Sequence, residues 1–154
     1  IRIFLLLLLF LAVGTVQSQN EGTTEQRITR MLRDASRALQ GGNAARFLSY
    51  FNRARFPSYA DLESNVVALT RQAEIASSIK VDRVKQSRPI YQVEIDWVLQ
   101  LTPSSGIGHV EERRASITVR VNTVEGRSEI ISLAPVNFFR SLGVNRPEGS
   151  DDKG

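Results

Sequence analysis

Cysteine is absent from the 154 residues, and histidine, tryptophan and methionine occur once each. The absence of cysteine excludes a disulfide framework, a thiolate metal site, a cysteine nucleophile and a lipid-modified N-terminal cysteine. With one histidine, no HExxH motif and no cluster of carboxylates, the sequence gives no indication of a metal site or of a cofactor. A G-x-S-x-G segment is also missing, which excludes the nucleophile turn typical of serine hydrolases.

Lysine is scarce, because the 20 basic residues comprise 17 arginines and 3 lysines. Guanidinium groups bind carboxylates and phosphates through paired hydrogen bonds, so an anionic partner is one interpretation. A genomic base composition that favours arginine codons is the other. The net charge of +4 is too small an excess to indicate a nucleic-acid partner.

Residues 1–18, IRIFLLLLLFLAVGTVQS, contain one cation, an apolar run from Ile3 to Val13, and small residues that end in Val16 and Ser18. This order is typical of a secretory signal peptide cleaved after Ser18. The alternative is a membrane anchor, but the run is shorter than the roughly 20 residues of a spanning helix. We therefore expect an exported protein, periplasmic or extracellular, with no stable membrane anchor after cleavage.

The rest of the chain is long enough for one domain. We expect a flexible entry over residues 19–24, a domain over residues 25–139, and a polar, disordered tail over residues 140–154. Within the domain, apolar residues spaced three and four apart predict a first helix over Gln26–Gln40, which Gly41-Gly42 ends.

Two further helices follow in the pattern. Asn43 has the position of an N-cap for a second helix that Pro57 stops, and Ser58-x-x-Asp61 resembles a capping box at the start of a third. After Glu74 the apolar period changes to two, and four segments alternate apolar and polar residues. These features predict an α+β fold in which three N-terminal helices pack on a curved, mainly antiparallel sheet of four or more strands.

The order of these elements resembles the nuclear transport factor 2-like superfamily over about residues 25–139. The resemblance rests on the Gly-Gly-Asn break, the segment AARFLSYF, the helix after Pro57 and the strand meander that ends in LAPVNFF. Gly42-Asn43 through Phe47 and Phe51 is similar to the superfamily's GD-x-x-x-F-x-x-x-F segment, with asparagine in place of aspartate. The resemblance implies a cone with a pocket at its open end. It implies no single activity, since relatives include isomerases, cyclases, dehydratases and non-catalytic binding domains.

Enzymes of this superfamily place a carboxylate or histidine inside the pocket. In the strand Tyr91–Leu101, however, alternation places Glu94 and Asp96 on the face opposite Trp97. With Arg120 they predict a charge cluster on the outer face of the sheet, and no ionisable group is expected on the inner positions of the second and third strands.

A lone loop histidine, His109, is usually a solvated surface residue. We therefore expect no catalytic residue. The alternative is a small isomerase, dehydratase or cyclase acting on a hydrophobic substrate, with Asp96 or Glu94 as general base. His109 is a further catalytic candidate. The use of Asp96 or Glu94 requires a bulge in Tyr91–Leu101 that turns the carboxylate inward.

Four aromatic residues are the candidates for a pocket wall: Tyr59, Tyr91, Trp97 and Phe51. The same aromatic side chains can instead pack together and fill the cone. Arg30, Arg33 and Arg37 form a basic ridge on the first helix, either a solvated face or a surface for an anionic partner. The function that we expect is an exported, non-catalytic domain that binds a small apolar ligand in the cone or forms a homodimer through the outer sheet face.

Overall fold

The computed structural model describes the backbone of residues 15–143 and the side chains of residues 22–143. Most of the expected signal peptide, residues 1–14, and residues 144–154 of the expected tail lie outside this part of the chain. The elements, in chain order, are α1 (Thr15–Gln40), α2 (Ala44–Leu48), α3 (Tyr59–Gln72), β1 (Ala73–Ser87), β2 (Ile90–Pro103), β3 (Glu111–Val124), β4 (Arg127–Ala134) and a 3₁₀ helix (Val136–Phe139).

Helix α1 begins at Thr15 and includes residues 19–24, for which the polar sequence predicted a flexible entry. No proline interrupts this stretch, so the helix extends upstream from the turns whose apolar face packs on the sheet. The predicted face is confirmed, because Ile28, Leu32 and Leu39 are fully buried. Among residues 15–143, no helix is long and apolar enough to cross a membrane.

The short helix α2 has the predicted N-cap, since Asn43 Oδ1 accepts a hydrogen bond from the backbone N–H of Arg46 at 2.9 Å. It ends at Leu48, well before the predicted stop at Pro57. The predicted capping box of α3 is wrong. Ser58 adopts a left-handed conformation with φ of 56°, and its side chain makes no capping hydrogen bond.

The four strands form one antiparallel sheet in the order β1-β2-β3-β4. The predicted alternation of β2 is confirmed, and its buried inner residues are Tyr91, Val93, Ile95, Trp97, Leu99 and Leu101. The three helices pack on the inner face of this curved sheet, so the fold is the predicted α+β cone.

Two single-residue bulges lie in the outer strands. Asp82 is unpaired in β1, between residues that pair with Ile95 and Glu94, and Ile131 is unpaired in β4. The register of β2 with β3 is unbroken from Ile90 to Leu101. Bulges increase strand twist and bend a sheet locally, so both outer strands add to its curvature.

Candidate functional site

The interior of the cone is packed with aromatic rings. Trp97, 1% exposed, lies with its ring centroid 5.1 Å from that of Phe139, and Phe139 lies 5.3 Å from Phe47. Phe47 in turn lies 5.1 Å from Phe51. Tilted and edge-on contacts at these separations are favourable for aromatic pairs. Trp97 and Phe51 are both buried in this cluster, so the structure places these two expected pocket residues in the packed core.

The polar end of Trp97 is also occupied. Its Nε1–H donates to Ser77 Oγ at 2.9 Å, and Ser77 Oγ lies 2.7 Å from Ser36 Oγ. These three side chains link β2, β1 and α1 beneath the sheet. A buried indole N–H needs a hydrogen-bond acceptor. Ser77 Oγ is that acceptor, so the indole N–H of Trp97 requires none from a ligand or water.

The two tyrosines, Tyr59 and Tyr91, lie in different parts of the structure. Tyr59 is half-buried, with the Arg53 guanidinium carbon 5.4 Å from its ring centroid, as in a cation–π contact. Tyr91 is 3% exposed and lines a cleft of about 370 Å³ where the start of β2 meets α1. Arg27 and Arg88 line the same cleft, so Tyr91 borders an open space beside two cations.

Asp96 points to the outer face, as the alternation predicted. Arg114 Nη2 donates to Asp96 Oδ2 at 2.6 Å, and this hydrogen bond holds the pKa of the Asp96 carboxyl below its usual range. A carboxylate with a lowered pKa is a weaker general base. The bulge that would turn Asp96 or Glu94 inward is absent from β2, since the bulges lie at Asp82 and Ile131.

Of the predicted outer-face cluster, Glu94 and Asp96 form ion pairs with other cations, whereas Arg120 does not join them. Glu94 lies 4.0 Å from Arg83 and 3.8 Å from Lys85, both on β1. Arg120 is exposed and makes no ion pair within residues 22–143. The ion pairs of this face therefore join neighbouring strands, β1 to β2 through Glu94 and β2 to β3 through Asp96.

His109 is exposed in the loop between β2 and β3. This loop borders a groove of about 780 Å³ against the end of α3, lined by Arg71, Ile107 and Val110 among others. No hydrogen bond or ion pair joins His109 to another residue in the described region. Residues 22–143 also contain no group of three or more histidine, aspartate and glutamate side chains that could hold a metal ion.

A buried charge that sequence reasoning missed lies on the inner face of β3. Arg113 is 6% exposed, and its Nε–H donates to Glu111 Oε1 at 2.6 Å. Its Nη1 donates to the backbone carbonyls of Phe138 and Arg140, while Nη2 is buried without a partner among the described atoms. Arg113 thus fastens the 3₁₀ helix and the chain after it to the sheet.

The expectation that the inner positions of the third strand carry no ionisable group was therefore wrong. The strand begins at Glu111, ahead of its apolar alternation at Ile117, so that alternation continues inward to Arg113. The signal was present in the sequence, because Ile117, Ala115 and Arg113 follow one another at a spacing of two.

The three arginines of the predicted partner surface line one groove. Arg30, Arg33 and Arg37 border a space of about 650 Å³ between α1 and Val84 of β1, together with Glu25 and Asp34 among others. Asp34 pairs with Arg37 at 3.0 Å, whereas Arg30 and Arg33 make no ion pair within residues 22–143.

Comparison with protein-family models and with curated proteins finds no match. Solved structures match at low sequence identity. A conserved protein from Planctomyces limnophilus is 13% identical over 73% of this chain and 94% of that chain, with a TM-score of 0.66. A scytalone dehydratase-like protein from Novosphingobium aromaticivorans is 16% identical over 75% and 85%, with a TM-score of 0.56.

A third structure, a nuclear transport factor 2-like protein from Shewanella oneidensis, is 12% identical over 71% of this chain and 96% of that chain, with a TM-score of 0.53. Identities this low establish the fold alone. The chain is therefore a cone-shaped α+β domain. Its fold is that of the nuclear transport factor 2-like superfamily, as the resemblance predicted.

Proposed function

We propose that the protein is an exported, non-catalytic interaction domain that forms a homodimer through the outer face of its sheet. The observation that carries this proposal is the contrast between the two faces. The inner face is filled by the aromatic cluster around Trp97, while exposed side chains such as Gln100, Arg114 and Arg120 lie on the outer face of β2 and β3.

The outer face has a suitable size for a stable interface. Four strands about 4.8 Å apart, with a rise of about 3.3 Å per residue, give it an area of roughly 700 Å². This value is close to the roughly 800 Å² that each partner contributes to an interface of standard size.

The charges on this face are of both signs and lie close together. Asp96 lies beside Arg114, and Glu94 lies between Arg83 and Lys85. A two-fold interface brings the same patch of two copies together, so each carboxylate can meet a cation of the other copy. Val98 lies among these charges in β2, opposite Arg114, and supplies an apolar contact near the centre of the face.

The observations favour interaction over the alternative enzymatic function. Asp96 and Glu94 lie on the outer face, and the hydrogen bond from Arg114 lowers the pKa of Asp96. The binding of an apolar ligand inside the cone has little support, because Trp97 and Phe51 contact other aromatic rings where the ligand would lie.

Sedimentation velocity of the purified protein tests the proposal, with an expected mass of twice that of the monomer. Val98→Arg places two arginines near the dimer axis and is expected to give monomers. Ile107→Arg is the matched control, since Ile107 is 82% exposed in the loop between β2 and β3, away from the outer face of the sheet. A wild-type monomer at about 100 µM overturns the proposal, because interfaces of this size bind at micromolar concentrations or below.

A further inference from the structure

The two edges of the sheet differ in what covers them. At β4, the backbone N–H of Ile130 donates to the carbonyl of Tyr50 at 2.9 Å, and the N–H of Asn52 donates to the carbonyl of Ile130 at 2.9 Å. Residues 50–52 thus pair with that edge at Ile130. The other edge, along β1, pairs with no strand in residues 15–143. A free strand edge presents unpaired N–H and C=O groups that can bind another extended chain.

A row of cations runs beside this free edge. Arg30, Arg33 and Arg37 line the groove that separates α1 from Val84 of β1. Beyond Val84, the exposed side chains of Arg83 and Lys85 lie on the same strand. The edge therefore has a basic helix on one side and basic strand residues on the other.

The acidic groups nearby do not remove this excess of positive charge. Glu25 lines the groove, Asp34 pairs with Arg37, Asp82 pairs with Lys80, and Glu94 is shared by two cations. Arg30 and Arg33 make no ion pair within residues 22–143. Their exposed guanidinium groups are therefore available to bind a partner.

We infer that the free edge of β1 binds an extended acidic segment of a partner protein as a fifth strand, with Arg30 and Arg33 contacting its carboxylates. Strand addition gives affinity through backbone hydrogen bonds and specificity through alternate side chains. Carboxylates at every second residue of the bound segment lie about 7 Å apart on one face. This spacing is of the same order as the separations of the arginines along the axis of α1, which are about 4.5 Å between Arg30 and Arg33 and about 6 Å between Arg33 and Arg37.

A second copy of this chain does not fit the same edge. Two β1 edges brought together would place one arginine groove against another, and like charges across an interface oppose association. An anionic membrane would satisfy the arginines, but it offers no backbone groups to the strand. The combination of a free strand edge with unpaired arginines favours an extended acidic peptide.

The first test measures binding of a synthetic eight-residue peptide that alternates glutamate and valine, by fluorescence anisotropy at low salt. We expect saturable binding that weakens as the salt concentration rises. Arg30→Gln combined with Arg33→Gln is expected to weaken binding about tenfold, as for the loss of two partly exposed ion pairs. Arg46→Gln combined with Arg55→Gln is the matched control, since both arginines are exposed, lie outside α1 and the sheet, and make no ion pair in the described chain, and this variant is expected to bind as the wild type does.

The second test separates strand pairing from simple charge attraction. A peptide with proline in place of each valine keeps the carboxylates but loses the backbone N–H at every second residue and is held at a φ unsuited to a strand, so we expect it to bind at least tenfold more weakly. Hydrogen exchange is expected to slow in β1 when the glutamate–valine peptide is present. Equal binding of the two peptides, unchanged binding by the double arginine variant, or binding of phosphatidylglycerol vesicles without binding of the peptide each overturns the inference. The outcome is independent of the proposed dimer, because Val98→Arg leaves this edge intact.

Discussion

Arg114 and Asp96 are diagonal neighbours on the outer face of the sheet, joined by a hydrogen bond of 2.6 Å between Nη2 and Oδ2. Asp96 stands opposite Ser116 in the register, and Arg114 stands opposite Val98. Diagonal pairs of this kind lie within reach of long side chains. The pair therefore connects β2 to β3 through side chains as well as through the backbone.

Removing Arg114 is expected to change the titration of Asp96. Arg114→Gln loses the charged donor that lowers the pKa of the carboxyl, so the pKa of Asp96 rises toward its ordinary value. The carboxyl ¹³C chemical shift, followed by NMR across the acid range, measures this change. Arg120→Gln is the control and leaves the pKa of Asp96 as it is in the wild type. An unchanged titration in Arg114→Gln contradicts the assigned cause.

The pair of Asp96 and Arg114 also predicts that the folded protein loses stability in acid. Because the pKa of Asp96 is lower in the folded than in the unfolded protein, its stabilising effect is present above the unfolded pKa and is lost as pH falls through the folded pKa. The loss falls below about pH 4. Urea unfolding at several pH values should show a shallower acid dependence for Arg114→Gln than for the wild type. An equal slope for both proteins contradicts this prediction.

Ser77→Ala is expected to destabilise the fold. The substitution leaves the Nε1–H of Trp97 and the hydroxyl of Ser36 without their shared partner, and an unsatisfied buried polar group costs about 1–3 kcal/mol of the free energy of unfolding. Urea unfolding monitored by the fluorescence of the single tryptophan measures this loss. Ser78→Ala, at the next and exposed position of β1, is the control, with an expected change within about 0.5 kcal/mol. Equal effects of the two substitutions would contradict the role of Ser77.

Arg113→Met is expected to weaken the attachment of residues 138–142 to the rest of the fold. Two backbone carbonyls, of Phe138 and Arg140, lose their guanidinium donor, and we expect a loss of about 2 kcal/mol in the free energy of unfolding. Hydrogen exchange should accelerate first at the amides of Ser141 and Leu142, which donate to Asn65 and Gln72 of α3. Arg120→Met, on the outer face, should change neither quantity. Uniform acceleration across the sheet would instead indicate a global effect.

The signal peptide remains a prediction from residues 1–18. Expressed behind an initiator methionine in cells that export proteins, the chain is expected to yield a mature form that begins at Gln19, as an intact-mass measurement would show. Ser18→Arg places a large charged residue at the cleavage position and should leave the precursor uncut. Membrane-bound wild-type protein that retains residues 1–18 would support the anchor instead.

Alternation and helical spacing predicted much of the fold, because burial follows directly from them. The inner face of β2, the buried face of α1 and the cap at Asn43 were all predicted from the sequence. The ends of elements were less well predicted. The start of α1 at Thr15 depends on helix propagation into a polar segment, which carries no apolar periodicity.

The candidate site was harder to predict for a physical reason. The pattern places Trp97 on the inner face, but it does not tell whether the space in front of the ring is open or filled. That depends on contacts with Phe47 and Phe139, which lie far away in the sequence. The partner of its indole N–H, Ser77, is set by the pairing of β1 with β2 and by the packing of α1.

The bulges at Asp82 and Ile131 also determine where the sheet can lose a residue without a change in the facing of its side chains. Each is an extra residue between correctly facing neighbours, so its deletion would join Val81 to Arg83, or Ile130 to Ser132, and restore regular alternation. A deletion within β2 or β3 would instead send every following side chain to the opposite face. Insertions and deletions among relatives of this chain should therefore collect in the outer strands, while the two central strands keep a constant number of residues.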